Sequence, residues 1–224
     1  RVMPPAMSSW FESLHAAQGV QIRLNANVAG FEGKDNGHVR AVRVDDELLS
    51  ADVVVVGIGI VANQELAASA GLDCDDGILV DTRCMTSHSD VYAAGDCTRH
   101  PQPILGGDLR LESVHNAMSQ GKIAANNLLG IDTEYSEMPW FWSDQYATKL
   151  QMIGISRADD VAVVRGDMNA EQFSVLYLRD GVLVAADVVN NSREFMACRK
   201  LVPLLRPFNA AQLADLEQPL QELI

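Results

Sequence analysis

Basic residues are scarce in this sequence: 17 Lys and Arg stand against 30 Asp and Glu, a formal net charge of −13. That balance excludes a polyanionic partner such as nucleic acid, whose binding rests on neutralising phosphates with cations. Cysteine is also scarce. Cys74, Cys84, Cys97 and Cys198 are widely scattered, with no C-x-x-C and no zinc-ligand spacing, so they are expected reduced and structural, and no metal site is expected. No apolar run is long enough to span a bilayer, and the opening "RVMPPAMSSW" lacks the basic, apolar, small order of a secretory signal. The expectation is a soluble cytoplasmic protein with no membrane partner. Nowhere does Gly-x-Gly-x-x-Gly occur, so neither of the phosphate-gripping turns that open dinucleotide folds is present.

What is present is a core: 224 residues, 48% of them hydrophobic, suffice for one large domain or two small ones. The first segment reads as an amphipathic helix with Met7, Trp10, Phe11 and Leu14 on its apolar face, stopped at Gly19. Alternation over Val20 to Phe31 predicts a strand, and Asn36-Gly37 predicts a tight hairpin returning "VRAVRV" antiparallel to it. "ADVVVVGIGI", with four consecutive valines, reads as a strand buried on both faces, as in a parallel sheet covered by helices. "NQELAASAGL" predicts a short helix closed by Gly71, and "GILVDTRCMTSHSDVYAAGD" two strands around a polar connection. "LESVHNAMSQGKIAANNLLG" is a helix capped by Ser113 and closed by Gly130, with Gly121 expected at a close packing contact. After a boundary at Glu134 to Pro139 the pattern changes to short strands, a hairpin at Arg179-Asp180-Gly181, and a helix opened by Asn191 with Glu194 as its reciprocal partner and ending near Leu205.

Why should the strand-like "SDVYAAGDC" end on Gly95 and Asp96? At the carboxyl end of a strand in an open sheet, a glycine lets a ligand approach the backbone, and a carboxylate offers acceptors to hydroxyl groups. The alternative is an Asp that caps its own turn, and spacing alone does not separate the two. Gly57 and Gly59 likewise fit either a ligand approach or a plain strand-to-helix turn. His15, His38, His88, His100 and His115 form no ligand set and read as surface or helix-cap residues. The acidic clusters "VDDE" and "CDDG" read as solvated turns.

"ILVDTRCMTSHSDVYAAGDC", preceded by "ADVVVVGIGIVAN", resembles the pyridine nucleotide and FAD-dependent oxidoreductases. With "LESVHNAMSQGKIAANNLLG" and "MPWFWSDQY", nearly the whole chain is similar to the NADH-dependent ferredoxin reductases that serve bacterial oxygenases and cytochromes P450. The resemblance implies an α/β chain: partial FAD/NAD-binding three-layer domains followed by an antiparallel-sheet α+β C-terminal domain. Its divisions are residues 1–63 from the NAD-binding domain, 64–136 from the FAD-binding domain, and 137–224 as the reductase C-terminal domain. FAD and NAD(H) are the implied cofactors of the parent enzyme. Gly95 and Asp96 are implied at the flavin's ribityl chain, Ser113 and Val114 at the helix start beside the ring, with Glu112 at the same turn. Gly57, Ile58 and Gly59 are implied near the nicotinamide, and Trp142 at the flavin and the docking face. No side chain is singled out as catalytic.

The implied partner is a ferredoxin-type iron–sulfur protein, whose acidic surface Arg193, Arg199 and Lys200 on one helix could contact; an ordinary exposed helix face explains them better. A homodimer is open. With no redox cysteine pair, electrons are expected to leave singly from the flavin. The missing glycine-rich turns imply that the chain is the C-terminal portion of a parent enzyme, and that alone it binds neither cofactor tightly and does not turn over. Competing readings are an NADH oxidase, a reductase with another acceptor, or a non-enzymatic association module.

Overall fold

The structure is a computed structural model and describes residues 3–224. It divides into two compact units, Ser9–Ile60 and Val61–Ile224, the latter joined by the first residues up to Ser8. Helix α1 (Pro5–Ala17) runs across that division. Pro5 suits the first helical turn, where its missing N–H costs nothing, and Met7 and Phe11, one turn apart, are buried.

The smaller unit is a three-stranded antiparallel meander of β1 (Val28–Gly33), β2 (Val39–Val44) and β3 (Glu47–Ser50). Its first turn is the Asn36-Gly37 hairpin read from the sequence. The preceding strand is shorter than expected, because Asn25 takes a left-handed backbone (φ 57°) and residues 20–27 join no ladder. The buried strand expected at "ADVVVVGIGI" is absent. Residues 51–60 form no ladder, and Val55 and Ile58 are 90% and 91% exposed. A strand's amides must be paired by a neighbour, and no strand among the described residues pairs with this run.

In the larger unit, α2 (Glu65–Ser69) closes at Gly71, and β4 (Ile78–Leu79) runs parallel to β5 (Thr98–Pro101), which pairs antiparallel with β6 (Asp108–Leu109). The strand expected at "SDVYAAGD" shrinks to a single bridge between Met85 and Tyr92. Helix α3 (Val114–Leu128) is the longest element, and Ser113 caps it by accepting from the Asn116 N–H at 3.2 Å. Gly121 is exposed with nothing within 4 Å of where a Cβ would stand, so the close contact expected there does not exist.

The C-terminal part is an antiparallel five-stranded sheet in the order β7 (Trp140–Gln145), β8 (Thr148–Gly154), β11 (Val182–Val189), β10 (Gln172–Arg179), β9 (Val161–Asp167). Asp180 and Gly181 both have positive φ, the conformation a two-residue hairpin needs between twisted strands. One sheet face, with Ile153, Val163, Leu176 and Val188, packs on Phe195, Cys198 and Leu201 of α4 (Ser192–Leu201). Each such burial contributes roughly 1.5–3 kcal/mol. Asn191 caps α4 through the Glu194 N–H as expected, but Glu194 does not reciprocate. Its carboxylate instead takes the Arg165 guanidinium and the Ser174 hydroxyl. The buried Arg165 also donates to the carbonyls of Leu213, Asp215 and Gln218, which pins the C-terminal segment carrying α5 (Ala210–Ala214) to β9.

Candidate functional site

The site is built on the amino terminus of α3. The Ser113 cap satisfies the third helical N–H and the Ser113 carbonyl takes the fourth, from Ala117. The N–H groups of Val114 and His115 have no partner among the described residues. Two aligned donors at the positive end of a 15-residue helix favour an acceptor carrying negative charge.

The same helix holds Gly95. Its φ is +90°, and an added Cβ would sit 3.7 Å from Ala117, so backbone conformation rather than space requires a glycine here. The Gly95 N–H donates to Gln120 Oε1 at 2.7 Å, which ties the loop to α3. Asp96, the next residue, is exposed and joins no ion pair among the described residues. Glu112 is engaged by Arg110 at 2.6 Å.

Beyond Val114 lies an open groove of about 630 Å³, lined among others by His115, Lys122, Trp140, Trp142 and Arg199. Strand alternation puts Trp140 and Trp142 on one face of β7, with ring centroids 5.2 Å apart, while Phe141 points the other way and is exposed. Trp140 also packs on Phe195 at 5.8 Å and lies under the Arg199 guanidinium, 5.1 Å from its centroid. His115 lies 2.5 Å from the Glu137 carboxylate and 5.0 Å from the Trp140 ring. Burial pushes the His115 pKa below the usual imidazole range; Glu137 opposes this and Arg199 adds to it. Lys122 and Arg199 line the same groove, with Glu134 and Glu137.

Of the residues read from the sequence, Gly95, Asp96, Glu112, Ser113, Val114 and Trp142 all lie in the larger unit, and Val114 and Trp142 share the groove. Gly57, Ile58 and Gly59 lie in the smaller unit, in the exposed segment. With Ala62 they spell Gly-x-Gly-x-x-Ala, but no strand precedes them and α2 starts only at Glu65, so the strand–turn–helix context of a dinucleotide turn is missing.

Two histidines depart from expectation. His115 lines the groove rather than standing on a plain surface. His100, expected at a surface or cap, is buried on β5 with both ring nitrogens unpartnered among the described residues, against Tyr135 at 4.7 Å; burial lowers its pKa. Sequence reasoning also passed over Gln120 and Lys122; their places on the helical wheel from Ser113 were the available signal. The cysteines are free as expected, with burial pushing the Cys84 thiol up to about 11 and the Cys198 thiol up to about 12. Among the described residues no acidic, histidine and cysteine cluster suits a metal ion, and no helix is long and apolar enough to cross a membrane.

Family models match in two places: pyridine nucleotide-disulphide oxidoreductase over residues 1–121 and reductase C-terminal over residues 140–224. The chain is 40% identical over 225 residues to the 5,5'-dehydrodivanillate O-demethylase ferredoxin reductase subunit of Sphingobium sp., covering all of this chain and 55% of that protein. Among solved structures it is similar to the ferredoxin reductase for the CYP199A2 system of Rhodopseudomonas palustris, with a TM-score of 0.94 at 34% identity over 100% of this chain and 55% of that one. The reductase in the covalent putidaredoxin reductase–putidaredoxin complex gives the same TM-score, 0.94, at 38% identity, again over 100% of this chain and 54% of that one. The chain thus spans about half the length of the relatives it matches.

Proposed function

Since the chain belongs to the pyridine nucleotide-disulphide oxidoreductase family and carries a reductase C-terminal domain, we propose that it supplies the flavin-facing helix end and the electron-exit face of an NADH-dependent ferredoxin reductase. One observation carries the reading: the unpaired amino terminus of α3 opens on a groove whose lining holds two tryptophans, the cations Lys122 and Arg199, and the carboxylates Glu134 and Glu137, the first paired with Arg83 and the second with His115.

The residues fit FAD. The Asp96 carboxylate, free of ion pairs, offers acceptors to the hydroxyls of a ribityl chain. The Val114 and His115 N–H groups suit the edge of a ring that gains negative charge, and the α3 dipole adds to their pull. Trp142 provides an aromatic wall that excludes water beside the ring. Bound FAD supplies the conversion between hydride uptake and single-electron release. Glu112 is held away from that work by Arg110 and keeps the cap turn in place. Gly57, Ile58 and Gly59 leave a stretch of backbone open to the planar nicotinamide.

The partner is an acidic ferredoxin-type iron–sulfur protein. The chain as a whole is acidic, so steering rests on the local cations Lys122 and Arg199 at the groove, with Trp140 held flat under the guanidinium as an apolar contact. Buried thiols and an NADH donor suit the cytoplasm.

The test is made on the full-length parent enzyme, this chain joined to the half that carries the glycine-rich turns: reduction of the FAD-loaded enzyme by NADH under anaerobic conditions, followed by addition of a ferredoxin. Fast ferredoxin reduction is expected. Electrons passing to oxygen at an equal rate, with no preference for ferredoxin, would favour an oxidase; a full-length parent enzyme purified without flavin and unable to take it up would refute the flavoprotein reading.

A further inference from the structure

Gln120 lies two helical turns from Ser113, about 10 Å along α3, and its side chain is fully buried. Its carbonyl oxygen takes the Gly95 N–H at 2.7 Å and lies 2.9 Å from the Thr98 hydroxyl, which also lies 2.8 Å from the Gly95 carbonyl. A backbone N–H can only donate, so the amide is fixed with its oxygen toward the loop. The amino group is then left buried with no partner among the described residues. Burying an unpaired amide group is unfavourable, and an apolar side chain of the same size would avoid it. The amide therefore contributes something packing does not: an acceptor for Gly95 in a backbone conformation (φ +90°) that other residues rarely adopt.

Asp96 follows directly, and no ion pair among the described residues fixes its position. Its register against the helix end is set through the residue before it. We propose that Gln120 is a positioning residue of the flavin site: by holding Gly95 to α3 it sets the Asp96 carboxylate at a fixed distance from the Ser113 helix end, so that the ribityl chain and the ring edge are gripped from one rigid helix. This rests on the flavin reading above.

The experiment is a double-mutant cycle in the FAD-loaded, full-length parent enzyme, with the dissociation constant read from the flavin fluorescence recovered on release. Flavin content of the parent is measured first. Its absence would sink the flavin reading itself, whereas a flavin-bearing parent leaves the cycle to judge Gln120. Gln120→Met keeps the volume and removes the acceptor; Gln120→Glu keeps acceptor oxygens. We expect Gln120→Met to weaken FAD about tenfold, Gln120→Glu to recover most of that loss, and the Met effect to fall to about twofold or less when Asp96 is already alanine. Equal losses with and without the Asp96 carboxylate would show a merely structural role and overturn the proposal, as would unchanged affinity in Gln120→Met. Should that variant fail to fold, amide exchange in the parent decides: a Gly95 N–H as protected as the α3 interior, and slowed further by FAD, supports the tie, while fast exchange overturns it.

Discussion

Asp187 offers a quantitative check on the C-terminal sheet. It sits on β11 with 2% of its surface exposed, opposite Val175 on β10 and Met152 on β8, and accepts the Tyr177 hydroxyl at 2.7 Å. No cation compensates its charge. Burial pushes its pKa from 3.8 up to about 6, with the Tyr177 hydrogen bond pulling part of the way back. Between those two values the folded protein binds more protons than the unfolded chain, so this group's contribution is most favourable below pH 3.8 and is lost as pH rises through about 6. At about 1.4 kcal/mol per pKa unit, the loss is about 3 kcal/mol. Asp187→Asn removes the titration but adds a buried amino group, which costs about 1–3 kcal/mol at every pH. Comparing pH values removes that constant, and the remaining carboxylates contribute equally to both proteins. Urea unfolding of parent and variant at about pH 4 and about pH 7 should show their stability difference moving about 2.4 kcal/mol in favour of asparagine at the higher pH, because part of the linkage is already spent at about pH 4. A difference that stays constant across that range would refute the account of Asp187 as a buried, uncompensated carboxylate.

Two further outcomes follow from the groove and its helix. Arg199→Ala, made in the full-length parent enzyme, removes the cation over Trp140 and should raise the KM for an acidic ferredoxin about tenfold at low salt, parent and variant converging as salt screens the pair; parallel salt profiles would show that Arg199 does not face the partner. Ser113→Ala removes the α3 cap and should destabilise the larger unit by about 1 kcal/mol in urea unfolding, accompanied by weaker flavin retention; unaltered stability would mean that another group satisfies the Asn116 N–H.

Local rules carried far along this chain. Ser113, Asn191, the Asn36-Gly37 turn and the Asp180-Gly181 turn could all be read because a cap or a short hairpin loop is decided within about five residues, although only Gly37 of the first turn takes positive φ and its loop spans residues 34–38. Long-range partners could not be read the same way. Glu194 has the spacing of a reciprocal cap, yet Arg165, 29 residues earlier in the chain, takes its carboxylate because a buried guanidinium needs a counter-charge more than an N-cap needs a second bond. His100 looked like a surface residue because nothing in its neighbours records that β5 turns it toward Tyr135. The candidate site shows the same split. Gly95 and Asp96 stand out as a glycine and a carboxylate after an apolar run, whereas Gln120 is chemically ordinary in sequence and acquires its role from a contact 25 residues away.

The valine run shows how a strong local signal can meet no partner. β-Branched residues in a run favour extended backbone, but a strand is stable only when a neighbour takes its amides, and no described strand neighbours residues 51–60. Val53, Val55, Val56, Ile58 and Ile60 are left exposed in a segment with one charge, Asp52, and no proline, which is the composition that pairs with other copies edge to edge. This polypeptide should therefore scatter light increasingly with concentration. Val55 is 90% exposed, so Val55→Lys removes no core contact and should change unfolding stability by no more than about 0.5 kcal/mol, while its charge blocks stacking and suppresses the scattering. If the lysine variant associates as readily as the parent, the sticky surface lies elsewhere, and a loss of stability well beyond about 0.5 kcal/mol would refute the account of Val55 as an uncovered side chain.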